Sequence, residues 1–168
     1  RFVGVPEQGG RNLIPTDPPG PGTVYTAGVS DQSIVGLYRV EVSVASGTGK
    51  LKTAGGLSGE MKESAQRAFA YLNSKKTELG VGRDVDTSDF HVQVIDLIGN
   101  RVEAEIGVAV FVAFCSALRQ TSVAPALLVL GDMSVQGNIK AARSLAEPLR
   151  VGMDNGARRA LVPIENKR

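Results

Sequence analysis

The stretch GNRVEAEIG, Gly99 to Gly107, carries two carboxylates, Glu103 and Glu105, and no hydroxyl, thiol or amine. Paired acids suit a hydrolase that divides acid and base work, or a cation site. No second cluster of ligands lies near them in sequence, so the pair reads as solvated or capping carboxylates. Glu105 stands just before a long apolar run. An anion at a helix start gains about 0.3 to 1 kcal/mol from the helix dipole, and the same carboxylate can pair with a cation. Cys115 with His91 would make a thiol–imidazole pair. Cys115 is bracketed by Phe114 and Ala117, however, and reads as an inert core thiol. SGTGK, ending at Lys50, resembles the end of a phosphate loop through Gly47, Gly49 and Lys50. The first glycine of that spacing is absent, and Leu51 stands where a magnesium-binding hydroxyl is required, so the reading is a hairpin turn.

The elements that must hold these residues follow from periodicity. LYRVEVSV, Leu37 to Val44, alternates apolar and polar residues and reads as a strand, with LKTA returning as a second. Ser58 is placed to cap a helix with Glu60 in its first turn. Met61, Ala65, Ala68, Phe69 and Leu72 recur at helical spacing as its core face, and Gly80 follows. DFHVQVI, Asp89 to Ile95, is a strand with Phe90, Val92 and Val94 on one side. IGVAVFVAFCSAL, Ile106 to Leu118, is all apolar, and its 13 residues are long for a strand, which predicts a buried helix. Ala126 to Leu130 reads as a buried strand. Ser144 and Glu147 make an S-x-x-E capping pattern ahead of a helix with Leu145, Leu149 and Met153 inward and Gly156 near its end. ALVPI closes the chain as a strand. The sum is an α/β (α+β) domain with a mixed sheet and three main helices.

The first 35 residues hold five of the eight prolines and many glycines, and read as an extended lead-in with a short strand at Thr23 to Thr26, leaving residues 36–168 as the domain. The hydrophobic content of 42% and charged content of 21% are those of a globular chain. No apolar run spans a bilayer, so no membrane partner is expected. Net charge is +2 with scattered basic residues, which offers nucleic acid no electrostatic footprint. A lone cysteine excludes an internal disulfide framework and a multi-thiolate zinc site, and fits a reducing cytoplasm. The start at Arg1 reads as a piece of a longer protein.

Three ordered motifs carry a resemblance. GKLKTAGGLSGEMKESAQRAFAYLNS holds a G-x-x-M-K-E-S-A signature at Gly59, Met61, Lys62, Glu63, Ser64 and Ala65. LGDMSVQGNI is similar to a G-E-[IV]-[ST]-L-x-G segment, and GARRALVPIENKR to a G-[AI]-x-x-[VI]-[LI]-[IL]-P-x-E-N ending. Together they resemble the proteolytic domain of Lon-type ATP-dependent proteases from about residue 36 onward. VPEQGGRNLIP, GTVYT, GLYRVEV, FVAFCSAL and GNIKAARSLAEPL are similar, more narrowly, to the Lon-like proteins of bacterial BREX phage-exclusion systems.

The resemblance implies a serine nucleophile and a lysine base, the lysine held neutral by burial and the oxyanion met by backbone N–H groups. Laid on the family's P-K-D-G-P-S-A-G, NRVEAEIG puts Glu105 at the serine and keeps only Gly107. In RSLAEPL, Arg143 and Ser144 fall on the glycine pair that precedes the lysine, and Ala146 falls on the lysine itself. A methyl group accepts no proton, and a carboxylate is a weak nucleophile toward an amide. Glu105 and Ala146 are expected to face each other across the place where a dyad would stand. Ser144 and Lys140 are the substitutes that a shifted register would offer. By the same resemblance an AAA+ module outside this chain binds ATP and Mg, the protein forms hexameric or stacked rings, and DNA is engaged through other parts. The expected role is assembly and docking without cleavage; an ATP-dependent serine endopeptidase with a relocated or unusual site is the alternative.

Overall fold

The computed structural model describes residues 13–54, 57 and 59–164. Six strands form one mixed sheet in the order β3-β4-β2-β1-β5-β8, from β1 (Thr23–Val29), β2 (Val35–Ser46), β3 (Leu51–Thr53), β4 (Ser88–Asp96), β5 (Leu127–Val129) and β8 (Arg159–Leu161). β1 pairs antiparallel with β2, and β2 with β4, whereas β3–β4, β1–β5 and β5–β8 are parallel. A second, two-stranded sheet joins β6 (Asp132–Met133) to β7 (Ile139–Lys140). Among the described residues no helix is long and apolar enough to cross a membrane.

The pleat decides what each face covers. Tyr38, Val40 and Val42 of β2 and Phe90 and Val92 of β4 turn to one side, where α1 (Gly59–Lys75) and α3 (Gly107–Arg119) close over them. Met61, Ala65, Ala68, Phe69 and Leu72 are buried there, as their spacing predicts. Phe69, Phe90 and Phe114 meet edge to face, with ring centroids 5.3, 5.5 and 5.7 Å apart, at the point where both helices and the sheet converge. Tyr25, Ala27, Leu37 and Leu128 turn to the other side and pack with Leu145 and Leu149 at α4 (Ala146–Asp154). α3 fills its expected run and is buried by its neighbours.

Several local expectations are corrected. LKTA is a strand, but it does not return against β2: β4 lies between them, and the SGTGK segment carries the chain over to the far edge of β4. Asp89 holds that segment, accepting from the N–H groups of Thr48 and Lys50 at 3.0 Å each, and Gly49 takes a φ of +86°. The backbone donors that a phosphate loop would turn to phosphate are spent on the chain's own carboxylate. The Thr48 and Lys50 N–H groups, with Lys52 beside them, hold the Asp89 carboxyl below the usual range.

The extended lead-in expected up to residue 35 ends earlier. β1 runs to Val29 inside the sheet, because Val24, Tyr25 and Ala27 have apolar cover on both faces. The short helix α2 (Gly82–Asp86) was not foreseen; it buries only Val85 and has no periodic stripe to announce it. Ser58, expected as a cap of α1, lies outside the described residues. The Ser144–Glu147 box does not form: Leu145 occupies the N-cap of α4 without a side-chain cap bond. The inward face of α4 is set by Pro148 and Gly152, with Gly152 against Leu128, so Met153 turns out to solvent at 66% exposure.

Candidate functional site

The GNRVEAEIG loop is fastened along its length. Asp96, at the end of β4, accepts from the N–H groups of Ile98, Gly99 and Arg101 at 3.2, 2.8 and 2.9 Å. The Tyr38 hydroxyl donates to Val102 O at 2.7 Å. Its burial, reinforced by the negative charges of Asp96 and Glu103, pushes the phenol above its ordinary range. Ala104 is buried against Gly28 of β1, where an added Cβ would stand 2.5 Å from the Ala104 methyl. The loop therefore delivers Glu105 to a set position in front of α3.

Glu105 does not cap that helix. The cap of α3 is Ile106, and its first N–H groups are satisfied from elsewhere. Ile106 N–H donates to Ser64 Oγ at 3.3 Å, Gly107 N–H to Asp132 Oδ1 at 3.0 Å, and Val108 N–H to Gly131 O at 3.3 Å. Asp132, 2% exposed, is the anion at the helix start. Arg67 pairs with it at 2.7 Å, donates to Ser64 Oγ at 3.2 Å, and reaches Met133 O through Nε at 3.3 Å. A Cβ at residue 107 would lie 2.2 Å from Asp132 Oδ1, which accounts for the glycine there. Ser64 and Asp132 come from the M-K-E-S-A and G-D-M-S segments, so those motifs build the floor of this site.

Glu105 takes the cation partner instead. Lys140 Nζ lies 3.2 Å from Glu105 Oε2 and 4.0 Å from Asp132 Oδ2, and Arg67 is 3.9 Å from Glu105. The Glu105 carboxylate thus sits between two cations, with Lys140 51% and Glu105 36% exposed. Beside them is a cavity of about 30 Å³. It is lined by Glu105, Asp132, Ala27 to Val29, Leu130, Gly131, and Ala141 to Ser144 with Pro148. That volume admits one or two water molecules and no peptide.

The sequence-derived residues divide accordingly. Glu105, Lys140 and Ser144 meet around this site, Glu105 and Lys140 as an ion pair and Ser144 as a lining residue. Ala146 opens α4, is exposed, and is not among the residues that line the cavity; Ser144 and Pro148 present that face. Glu103 points away toward the start of α1, its carboxylate against Gly59. His91 and Cys115 do not meet. Phe90 and Val92 pack with α3, so His91, between them on β4, projects from the opposite face of the sheet. Burial pushes the Cys115 thiol up, which disfavours the reactive thiolate. Among the described residues no group of three His, Cys, Asp or Glu side chains is placed to hold a metal ion. Arg67 and Asp132 were missed as site residues; an Arg three positions after a motif serine, on the buried helix face, was the available signal.

Comparison with known proteins agrees with this architecture. Residues 22–168 match the family described as the Lon protease (S16) C-terminal proteolytic domain. A "Lon-like protease BrxL" of Bacillus cereus (strain H3081.97) is 34% identical over 97% of this chain and 24% of its own length. Another of that name, from Escherichia coli O9:H4 (strain HS), is 32% identical over 98% of this chain and 24% of its own. A "Lon protease" of Buchnera aphidicola subsp. Schizaphis graminum (strain Sg) is 31% identical over 79% of this chain and 17% of its own. The chain spans about a quarter of the length of the BrxL relatives. Shared motifs, a mixed sheet with helices on both faces, and a match over nearly the whole chain lead to one conclusion: this chain belongs to the Lon protease (S16) C-terminal proteolytic domain family.

Proposed function

We propose that this chain is the Lon-like C-terminal domain of an ATP-dependent AAA+ protein of a BREX-type phage-defence system, and that it serves assembly and docking without cutting peptide bonds. The observation that supports this is the Glu105–Lys140 ion pair, Glu105 being the residue we lay on the family's serine. A serine peptidase needs a hydroxyl there and a neutral, buried amine beside it. Here a carboxylate stands in place of the hydroxyl, and the neighbouring amine is a half-exposed cation tied to it. The residue at the lysine position is Ala146. The Ser64, Arg67, Gly107 and Asp132 network supports the fold of the module.

In this reading ATP and Mg belong to an AAA+ module outside the chain, and no residue here is assigned to either. Hexameric or stacked rings, and DNA contacts through other parts of the protein, extend the same proposal in a cytoplasmic setting. A second reading, a serine endopeptidase with a relocated site, has one observation on its side: Ser144 lines the same cavity as Glu105. The pairing of Lys140 with Glu105 leaves that serine without the base a relocated dyad requires. The intact protein incubated with casein, with and without ATP, is expected to release no acid-soluble peptide. ATP-stimulated release that an active-site acylating reagent abolishes would establish the peptidase reading instead.

A further inference from the structure

The end of α4 is built on Asn155 and Gly156, and Asn155 is the only asparagine of the chain with a glycine after it. The fold requires both residues. Gly156 takes a φ of +116°, which a side chain would strain. Its N–H donates to Met153 O at 3.2 Å, and Ala157 N–H donates to Gly152 O at 2.9 Å, so late carbonyls of the helix are satisfied. Asn155 fastens the helix in two further ways. Its side-chain Nδ2 donates to Val151 O at 2.7 Å, and its main-chain carbonyl accepts from Ile14 N–H at 2.9 Å. Ile14 is fully buried and packs with Tyr25, Leu37, Leu128 and Ala157, so Asn155 ties α4 to the core on this side of the sheet.

The same pair is chemically reactive. A backbone nitrogen that follows asparagine can attack the side-chain carbonyl carbon, and glycine, with no Cβ, leaves that nitrogen unshielded. The Gly156 nitrogen loses its proton and bonds to Asn155 Cγ, the Cγ–Nδ2 bond breaks, and ammonia leaves. Water then opens the cyclic imide at either carbonyl, giving aspartate or isoaspartate. The folded chain holds this step back: ψ at Asn155 is 12°, the Gly156 N–H is spent on Met153 O, and the side-chain amide is spent on Val151 O. Closing the imide rotates the peptide plane away from that ψ and breaks the cap. α4 has nine residues, Gly152 among them, and no side-chain bond at its N-cap, so its ends open more readily than those of α1.

We infer that Asn155 is a deamidation site shielded by the α4 cap, and that its conversion unfastens α4 from Ile14. A carboxylate at residue 155 cannot donate to Val151 O, and it puts negative charge at the C-terminal end of a helix, where the dipole opposes it. In isoaspartate the chain continues through Cγ, one carbon longer, and the register of the cap is lost. Pro148 of the same helix lines the cavity beside Glu105, so a loosened α4 alters a wall of that cavity. No peptide bond is cut in this change, and it stands apart from the peptidase question.

The intact protein, aged in mildly alkaline buffer with and without urea and then digested with trypsin, tests this by mass spectrometry of the peptide 151–158. Conversion at Asn155 should be about tenfold or more faster in urea, where the cap is gone. Asn100 and Asn138, which precede Arg101 and Ile139, should lag behind it. In urea, Gly156→Ala should slow the reaction by about tenfold, because its Cβ screens the nitrogen. In the native fold, Asn155→Asp should speed hydrogen exchange at the Ile14 and Ala157 amides by about threefold to tenfold and leave α3 protected. Where that variant does not fold, the deamidated fraction of aged native protein is measured in its place. No conversion at Asn155 in urea, equal rates with and without urea, or unchanged exchange at Ile14 and Ala157 would overturn the inference.

Discussion

Two carboxylates a few ångströms apart have opposite value in this domain. Asp132 is buried, paired to Arg67 at 2.7 Å, and holds the first turn of α3 through Gly107 N–H. Removing it strands a guanidinium and a helix N–H together, a change that costs about 3 to 5 kcal/mol when a buried pair is broken. Glu105 pairs with Lys140 in a solvent-screened position where such contacts contribute about 1 kcal/mol or less. Urea denaturation is expected to show Asp132→Ala strongly destabilised and Glu105→Ala close to the parent. Equal losses would mean that the Glu105–Lys140 ion pair supports the fold. The resemblance led to Glu105 and could not rank it against Asp132, because rank follows burial, and burial is set by what α1 and β6 bring alongside.

At the scale of elements, the loop before α3 keeps its path through one hydroxyl. Tyr38, on the buried face of β2, donates to Val102 O, and burial raises its phenol above the ordinary range. A raised phenol favours the neutral form in the folded chain. Its contribution is therefore complete below the unfolded value near pH 10 and is lost as pH rises beyond it. Tyr38→Phe should cost about 1 kcal/mol at pH 8, the worth of one hydrogen bond. The gap between parent and variant should narrow as denaturation is repeated above about pH 10. A gap that widens with pH would contradict this account of the loop. Periodicity made β2, β4 and α1 legible, since each has one buried face of regular spacing, and the length of its apolar run made α3 so. It left α2 and β6–β7 unread, because elements with so few buried side chains have no period to detect. α4 was found but turned: an apolar count put Met153 inward, whereas packing of Gly152 on Leu128 decides its face.

On the scale of the whole molecule, α1, α3 and the sheet are joined at Phe69, Phe90 and Phe114. Phe114 is fully buried, and Phe114→Ala is expected to cost about 3 to 5 kcal/mol, through lost transfer energy and the cavity left behind. Far- and near-ultraviolet melts should shift together, since both helices lose the same partner; a shift confined to one signal would show that the layers unfold separately. The sequence by itself determined the family and the strand and helix cores, because motifs and periodicity are properties of neighbours along the chain. Only the tertiary structure decided that β4 enters between β2 and β3, that Lys140 rather than a helix start holds Glu105, and that Asp132 anchors α3. Those outcomes depend on contacts between residues tens of positions apart, where geometry and burial are set by the assembled layers and leave no local pattern to read.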